Sequence, residues 1–407
     1  MHLLRSSLKN SNKSKNILIV LDGVGGIPNK YKTELEFAKT PNLNKLIKKS
    51  ETGCHIPVKE GITPGSGSAH LALFGYDPLD FNIGRGVLEA LGLDIDIGPK
   101  DLAIRGNFAS VKKENKKLIV TDRRAGRIKT DENNRIIKKL SQNIQTIGKY
   151  KISFKSGLEH RFVCKISCPT KVSKDECDIQ DTDPQVIGYS PLDPINLNKK
   201  SLKTSIVVRK LLHKIRGVLN NEKNANFALL RGFSTYPSIP TFDTLYKIRS
   251  ASVTTYPMYK GIGRLVGMEP LSLKANNLQG QIEAIKANIN NYDFFYLHIK
   301  KTDSFGEDGN FKDKVKEIEK FDKFLPQLLE FNFNVIAITG DHSTPSRMKS
   351  HSWHPVPVLI RSDNSFSGLS KRFTESECLN GSLGIFEAKH LLTYIFAHAG
   401  NLDKFGA

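Results

Sequence analysis

Residues 16–21, 292–299, 335–339 and 356–360 are dominated by apolar side chains over the length of a strand, without regular polar alternation. Such runs are expected of central strands covered on both faces, as in a parallel sheet flanked by helices. Helical spacing fills the intervals. Thr40-Pro41-Asn42-Leu43 reads as a helix start, with Thr40 as cap and Pro41 at the first helical position, running to about Ile47. After a Gly- and Ser-rich loop, residues 69–74 begin another helix, which places Ser66 at a loop-to-helix junction where backbone N–H groups can face an anion. Helices are also predicted over 278–289 and 312–329, the latter turning Val315, Ile318, Phe321, Leu325 and Leu328 toward the sheet.

The middle of the chain differs. Short strand-like runs at 117–120, 151–154 and 161–166 alternate with polar loops, and one amphipathic helix over 202–219 carries Val207, Leu211, Ile215 and Val218 as a core stripe. This pattern divides the chain into a flexible tail (1–15), a discontinuous core domain (16–100 and 255–407) and an inserted α+β cap domain (101–254), with hinges near residues 100 and 255. No internal repeat is visible.

Composition adds bounds. The 407 residues are 39% hydrophobic and 25% charged, ordinary for a globular chain with room for two cores. No apolar stretch approaches the roughly 18 to 20 residues that span a bilayer, so a soluble protein is expected. Residues 1–15 are basic and rich in Ser and Asn; a disordered extension is expected there, a short targeting leader being the alternative. The formal charge of +20 favours anionic partners. Its lysines are dispersed without an aromatic-basic or finger-like motif, and read as solvated surface rather than a nucleic-acid face. Five scattered cysteines read as reduced cytosolic thiols. Cys164, Cys168 and Cys177 lack a fourth ligand at zinc spacing, two of them falling in a strand-like run.

The candidate chemistry collects where strands end. Asp22 ends the first run, Asp303 and Glu307 follow the second, Asp341 and His342 the third, and His351 precedes the fourth. In an α/β sheet the carboxyl ends of neighbouring strands form the ligand crevice. Asp303 and Glu307 alone are an unremarked i,i+4 acidic pair. Asp341-His342 is more specific, because a buried strand end is a costly place for a solitary charge. Carboxylates with imidazoles suit two divalent cations such as Mn, Mg, Zn or Co, a centre for phosphoryl transfer. Ser66 is the candidate nucleophile, activated by coordination, with Ser68 and Thr63 as local competitors. Arg123, Arg124 and Arg127 cluster densely enough to bind an anion, and Lys260 and Arg264 add charge beside two glycines.

Ordered segments carry a family likeness: Leu21-Asp-Gly-Val, Thr40-Pro-Asn-Leu, Gly61-Ile-Thr-Pro-Gly-Ser-Gly-Ser-Ala-His, Gly84-Arg-Gly-Val-Leu-Glu, Arg105-Gly-Asn-Phe, Asp122-Arg-Arg-Ala-Gly-Arg, Asp181-Thr-Asp-Pro, Lys260-Gly-Ile-Gly-Arg, Lys300-Lys-Thr-Asp, Gly340-Asp-His-Ser-Thr-Pro and His351-Ser-Trp-His-Pro. Spread over most of the chain, they resemble the archaeal-type cofactor-independent phosphoglycerate mutases of the alkaline phosphatase superfamily. The resemblance implies an alkaline-phosphatase-like α/β core, its mainly parallel sheet flanked by helices, plus the smaller inserted cap. It implies transient phosphorylation of Ser66, one metal held by Asp22, Ser66, Asp341 and His342, and a second by Asp303, Glu307 and His351, with manganese expected. Glu307 departs from the histidine common in the superfamily, and His354 rivals His351. Substrate contacts are expected from Arg123, Arg124, Arg127, Lys260 and Arg264, then Asp183 and Arg231. The implied reaction interconverts 3-phosphoglycerate and 2-phosphoglycerate without 2,3-bisphosphoglycerate, in cytoplasmic glycolysis and gluconeogenesis. A homo-oligomer is left open, and no membrane partner is expected. The alternatives are a phosphatase, phosphonate hydrolase or other phosphomutase of the superfamily, and, more remotely, a nucleic-acid-binding protein on a reused scaffold.

Overall fold

The computed structural model describes residues 8, 14–30, 32–81, 83–366 and 368–404. Its larger sheet has eight strands, in spatial order Glu269–Pro270, Ser250–Val253, Phe294–Ile299, Asn16–Leu21, Val335–Thr339, Val356–Arg361, Ser50–Ile56 and Gly384–Glu387. The centre is parallel: Asn16–Leu21 pairs in parallel with both Phe294–Ile299 and Val335–Thr339, and every residue of these strands is buried. Among the described strands of this sheet only Val356–Arg361 runs antiparallel to its neighbours. Unbroken apolar sequence is what a strand sandwiched between helix layers requires. The helix Phe311–Leu329 buries Val315, Ile318, Phe321, Leu325 and Leu328 in the core shared with Ile17, Ile19 and Phe295. Helix Pro41–Ile47 begins at the expected proline, but Thr40 makes no side-chain cap bond.

The chain divides into two compact units, one of residues up to 82 and from 239 onward, the other of 83–238. The second unit is a six-stranded antiparallel sheet ordered Lys117–Asp122, Asp101–Glu114, Arg161–Ser167, Tyr150–Ser156, Thr146–Ile147, with Phe227–Thr235 also pairing with Asp101–Glu114. Helix Leu202–Leu219 lays Val207, Leu211 and Ile215 into that unit's own core beside Ile136, Leu140 and Phe162.

These boundaries lie earlier than the 100 and 255 read from the sequence, for two physical reasons. Helix Arg85–Gly92 packs against the second unit's strands so closely that a Cβ on Gly86 would meet the Ala103 carbonyl oxygen at 2.4 Å and that of Gly232 at 2.6 Å. Ser250–Val253, in turn, pairs with Phe294–Ile299 and so belongs to the larger sheet. Within the expected tail, Leu8 is buried and bridges to Leu402, and Lys15 donates through Nζ to the Ile289 carbonyl. The rest of that tail, apart from Ser14, lies outside the described residues.

Candidate metal centre

Because Val20 lies opposite both His298 and Thr339, three central strands end side by side. Asp22 therefore follows Leu21 beside Lys300, which follows Ile299, and beside Gly340-Asp341-His342, which follows Thr339. Asp22, Asp341 and His342 form one group of converging donor atoms, and Asp303, His342 and His351 a second, all within 4.8 Å of one another in each group. His342 belongs to both. Asp303 and Glu307 are on the short helix Lys301–Glu307, whose last residue, Glu307, stands at the rim with Oε1 3.8 Å from His351 Nε2 and 55% of its side chain exposed. His351 joins this cluster and stacks on His342 at 3.6 Å, whereas His354 turns to Ser352 Oγ and Trp353.

Hydrogen bonding fixes where the imidazole lone pairs point. The Thr344 hydroxyl donates its one proton to Asp303 Oδ1 at 2.7 Å, so at 2.9 Å from His342 Nδ1 it must accept. His342 is thereby held as the Nδ1–H tautomer, and its Nε2 lone pair faces Asp341 Oδ2 at 3.2 Å and Asp22 Oδ1 at 3.5 Å. His351 likewise donates from Nδ1 to the Pro64 carbonyl at 2.9 Å and aims Nε2 at Asp303. Among the described residues Asp22 Oδ1 and Asp341 Oδ2 are buried without a well-formed hydrogen bond, Asp341 Oδ2 having His70 Nδ1 at 3.2 Å. Two lone-pair imidazoles and these carboxylate oxygens converge as a donor set that fits divalent cations, a bound positive charge being one way to satisfy acceptors that face one another.

Ser66 is the first residue of helix Ser66–Leu73, with Oγ 3.3 Å from His342 Nε2. The competitors fall away on geometry: Ser68 Oγ folds back to the Gly65 carbonyl, and Thr63 is exposed.

Groups that pattern reading did not single out complete the surroundings. Lys300 Nζ lies 3.1 Å from Asp22 Oδ2 and also bonds Asp303. Burial opposes ionisation of Asp22, but Lys300, His298 and His342 hold its carboxyl well below the usual range. His298 Nε2 donates to Asp22 Oδ2 at 3.1 Å and stacks on Tyr259 at 3.7 Å. His70 donates to the Ser66 carbonyl at 2.8 Å and faces Asp341 at 3.2 Å. Burial lowers the His298 and His342 pKa values and favours neutral rings.

The predicted anion-binding residues separate into three settings. Arg123 is bidentate to Asp183 at 2.8 and 2.7 Å, and Arg231 bonds the same carboxylate at 3.2 Å, so these three form one network in the smaller unit. Arg124 and Arg127 lie on an exposed turn in which Ala125, Gly126 and Arg127 all adopt positive φ (48°, 66° and 51°), held by two backbone N–H bonds to the Asp122 carboxylate. Lys260 and Arg264 are one turn apart on helix Pro257–Leu265 of the larger unit. His160, which the pattern did not reveal, is buried near Arg161, Arg124, Arg105 and Arg127; burial first and then those charges push its pKa down to about 3.

Fold and cluster define an α/β protein with a carboxylate–imidazole donor set suited to divalent cations beside a helix-terminal serine. The model of one protein family, described as 2,3-bisphosphoglycerate-independent phosphoglycerate mutase, matches residues 48–224. A protein of Aquifex aeolicus named "Probable 2,3-bisphosphoglycerate-independent phosphoglycerate mutase" is 52% identical over 403 residues, covering 99% of each chain. One of Thermus thermophilus with the same name is 48% identical over 97% of this chain and 96% of its own. Among solved structures, a cofactor-independent phosphoglycerate mutase of Thermoplasma acidophilum is 30% identical with a TM-score of 0.68, covering 95% of this chain and all of its own. A Pyrococcus horikoshii protein, also 30% identical, superposes with a TM-score of 0.82 over 98% of this chain and 100% of its own. The chain belongs to the 2,3-bisphosphoglycerate-independent phosphoglycerate mutase family.

Proposed function

We propose that this protein isomerises 3-phosphoglycerate and 2-phosphoglycerate through a phosphoserine at Ser66. The observation that carries the mechanism is Ser66 Oγ at 3.3 Å from His342 Nε2, on the edge of the carboxylate–imidazole cluster. Asp22, Ser66, Asp341 and His342 would hold one divalent cation and Asp303, Glu307 and His351 the other, with manganese the expected metal. Bound cations would supply positive charge against the phosphoryl oxygens and favour the serine alkoxide.

Ser66 Oγ bonds to phosphorus as the bond from phosphorus to the C3 oxygen of the glycerate breaks, and the serine proton passes to that oxygen. The glycerate turns, its C2 hydroxyl takes the phosphoryl group, and Ser66 regains a proton. The helix N-terminus of Ser66–Leu73 favours the anionic phosphoserine. The Lys300 ammonium balances Asp22 and Asp303 throughout. Lys260 and Arg264 in the larger unit, and separately Arg124, Arg127 and the Asp183-held pair Arg123 and Arg231 in the smaller, are the proposed anion-binding residues. We infer that this reaction serves glycolysis and gluconeogenesis, in the cytoplasm.

The test is 31P NMR of aliquots chelated with EDTA after incubation of Mn2+-loaded protein with 3-phosphoglycerate, without 2,3-bisphosphoglycerate. A stable ratio of 2- to 3-phosphoglycerate with little free phosphate is expected, and Ser66→Ala should abolish the interconversion. Free phosphate alone would identify a phosphatase, and full activity in Ser66→Ala would overturn the phosphoserine.

A further inference from the structure

Among the described residues Lys314 is the only buried lysine, and it is fully buried. An ammonium in a protein interior is costly unless every proton finds a partner. Lys314, in the first turn of helix Phe311–Leu329, donates to the Gly25 carbonyl at 3.2 Å and the Thr344 carbonyl at 2.8 Å, with Glu34 Oε2 at 4.0 Å. Gly25 lies three residues after Asp22, and Thr344 two after His342. One ammonium therefore grips the backbones of both loops that carry the proposed ligands.

Two carboxylates hold the same loops by their donors. Glu34 Oε1 accepts from Ser346 N at 2.8 Å, and Glu375 Oε1 accepts from Gly26 N at 2.8 Å while its Oε2 accepts from the Thr33 hydroxyl at 2.7 Å. The loops also touch directly, Thr344 N donating to the Gly25 carbonyl at 3.0 Å. Gly26 leaves the room this requires: a Cβ there would meet Glu34 Oε2 at 2.3 Å. The Thr344 hydroxyl then passes the constraint to Asp303 and His342.

We propose that Lys314, paired with Glu34 and assisted by the Glu375 hydrogen bonds, is a buried clamp that sets the spacing of Asp22 from Asp341 and His342, and hence the affinity for a divalent cation; the proposal rests on the metal-site reading above. Lys314 touches neither substrate nor cation and acts as a positioning residue. A buried ion pair adds little net stability compared with an apolar replacement of like shape, so its expected effect is geometric.

The experiment titrates Mn2+ into the metal-stripped full chain, reading free Mn2+ by its EPR signal, with thermal unfolding followed in parallel. Wild type, Lys314→Met and the double variant Lys314→Met/Glu34→Gln are compared. Loss of a group that orients ligands weakens metal binding about 10- to 100-fold, and that loss is expected in Lys314→Met. The double variant relieves the uncompensated carboxylate at position 34, and should recover thermal stability while retaining the weakened Mn2+ affinity. It also serves if the single variant fails to fold. Wild-type affinity in Lys314→Met, or recovery of affinity together with stability in the double variant, would overturn the clamp. Absence of Mn2+ binding in the wild type would instead overturn the metal-site reading from which the clamp derives.

Discussion

Thr344 links the two ligand groups through one oxygen atom, donating to Asp303 and accepting from His342 Nδ1. Thr344→Val keeps the volume but leaves Nδ1–H unpaired and the His342 tautomer unenforced. Mn2+ affinity by calorimetry should fall about 10- to 100-fold, and Thr344→Ser should retain most of it. Glu375 gives a pH-dependent prediction. Burial pushes its pKa from 4.5 up to about 7, against the bonds from Thr33 and Gly26. Between these values the folded chain holds a proton that the unfolded chain releases, so this group's stabilisation is full below 4.5 and lost as pH rises through 7. In urea titrations Glu375→Gln should therefore gain about 1 to 3 kcal/mol relative to wild type between pH 5 and pH 8. An unchanged difference between the two pH values would refute the assignment. Asp22, Asp341 and His342 were legible in the sequence because charge directly after a buried run is conspicuous. Lys314, His298 and Thr344 were not: a single lysine in an amphipathic helix reads as surface, a histidine inside an apolar strand reads as core, and a threonine's partners are tertiary.

Helix Lys301–Glu307 owes its position to a glycine contact. A Cβ on Gly306 would lie 2.3 Å from the Thr344 carbonyl oxygen, which Lys314 holds in place, and 2.9 Å from the Thr344 side chain. Gly306→Ala must push the helix away from the loop, moving Asp303 and Glu307 from His351. Such overpacking typically costs 1–3 kcal/mol, and about that loss is expected in chemical denaturation, accompanied by weaker Mn2+ binding. Wild-type values for both would show that the contact relaxes freely. The regular elements were readable where pattern and burial agree: the strand Asn16–Leu21 and the helix Leu202–Leu219 have the ends that apolar spacing sets. The helix carrying Ser66 begins three residues before the apolar stretch that marks it, because its first turn is Ser-Gly-Ser and lacks a hydrophobic signal. Helix Arg85–Gly92 falls on the other side of the expected boundary, because no local property of its sequence states that Gly86 will rest on the Ala103 carbonyl.

Each unit encloses a core of its own, one around Ile17, Phe295 and Phe321, the other around Leu102, Phe162 and Leu211. All seven proposed metal ligands lie in the larger unit, although the sequence inserts 83–238 between Ser66 and Asp303. A ligand stabilises only the structure that binds it, by RT ln(1 + [L]/Kd), or about 2.7 kcal/mol at a hundredfold excess over Kd. Calorimetry of the full chain should therefore resolve two transitions, of which Mn2+ raises one and EDTA returns it. The transition that does not respond should match that of a separately expressed 83–238 fragment, whose antiparallel sheet and helix Arg85–Gly92 form a closed packing unit. A fragment starting at residue 101 lacks that helix and exposes the strand backbone it covers, so it should unfold at a lower temperature or fail to fold. If both transitions rose with Mn2+, or if the shorter fragment were the more stable, neither the boundary at 83 nor the confinement of metal binding to the larger unit would stand.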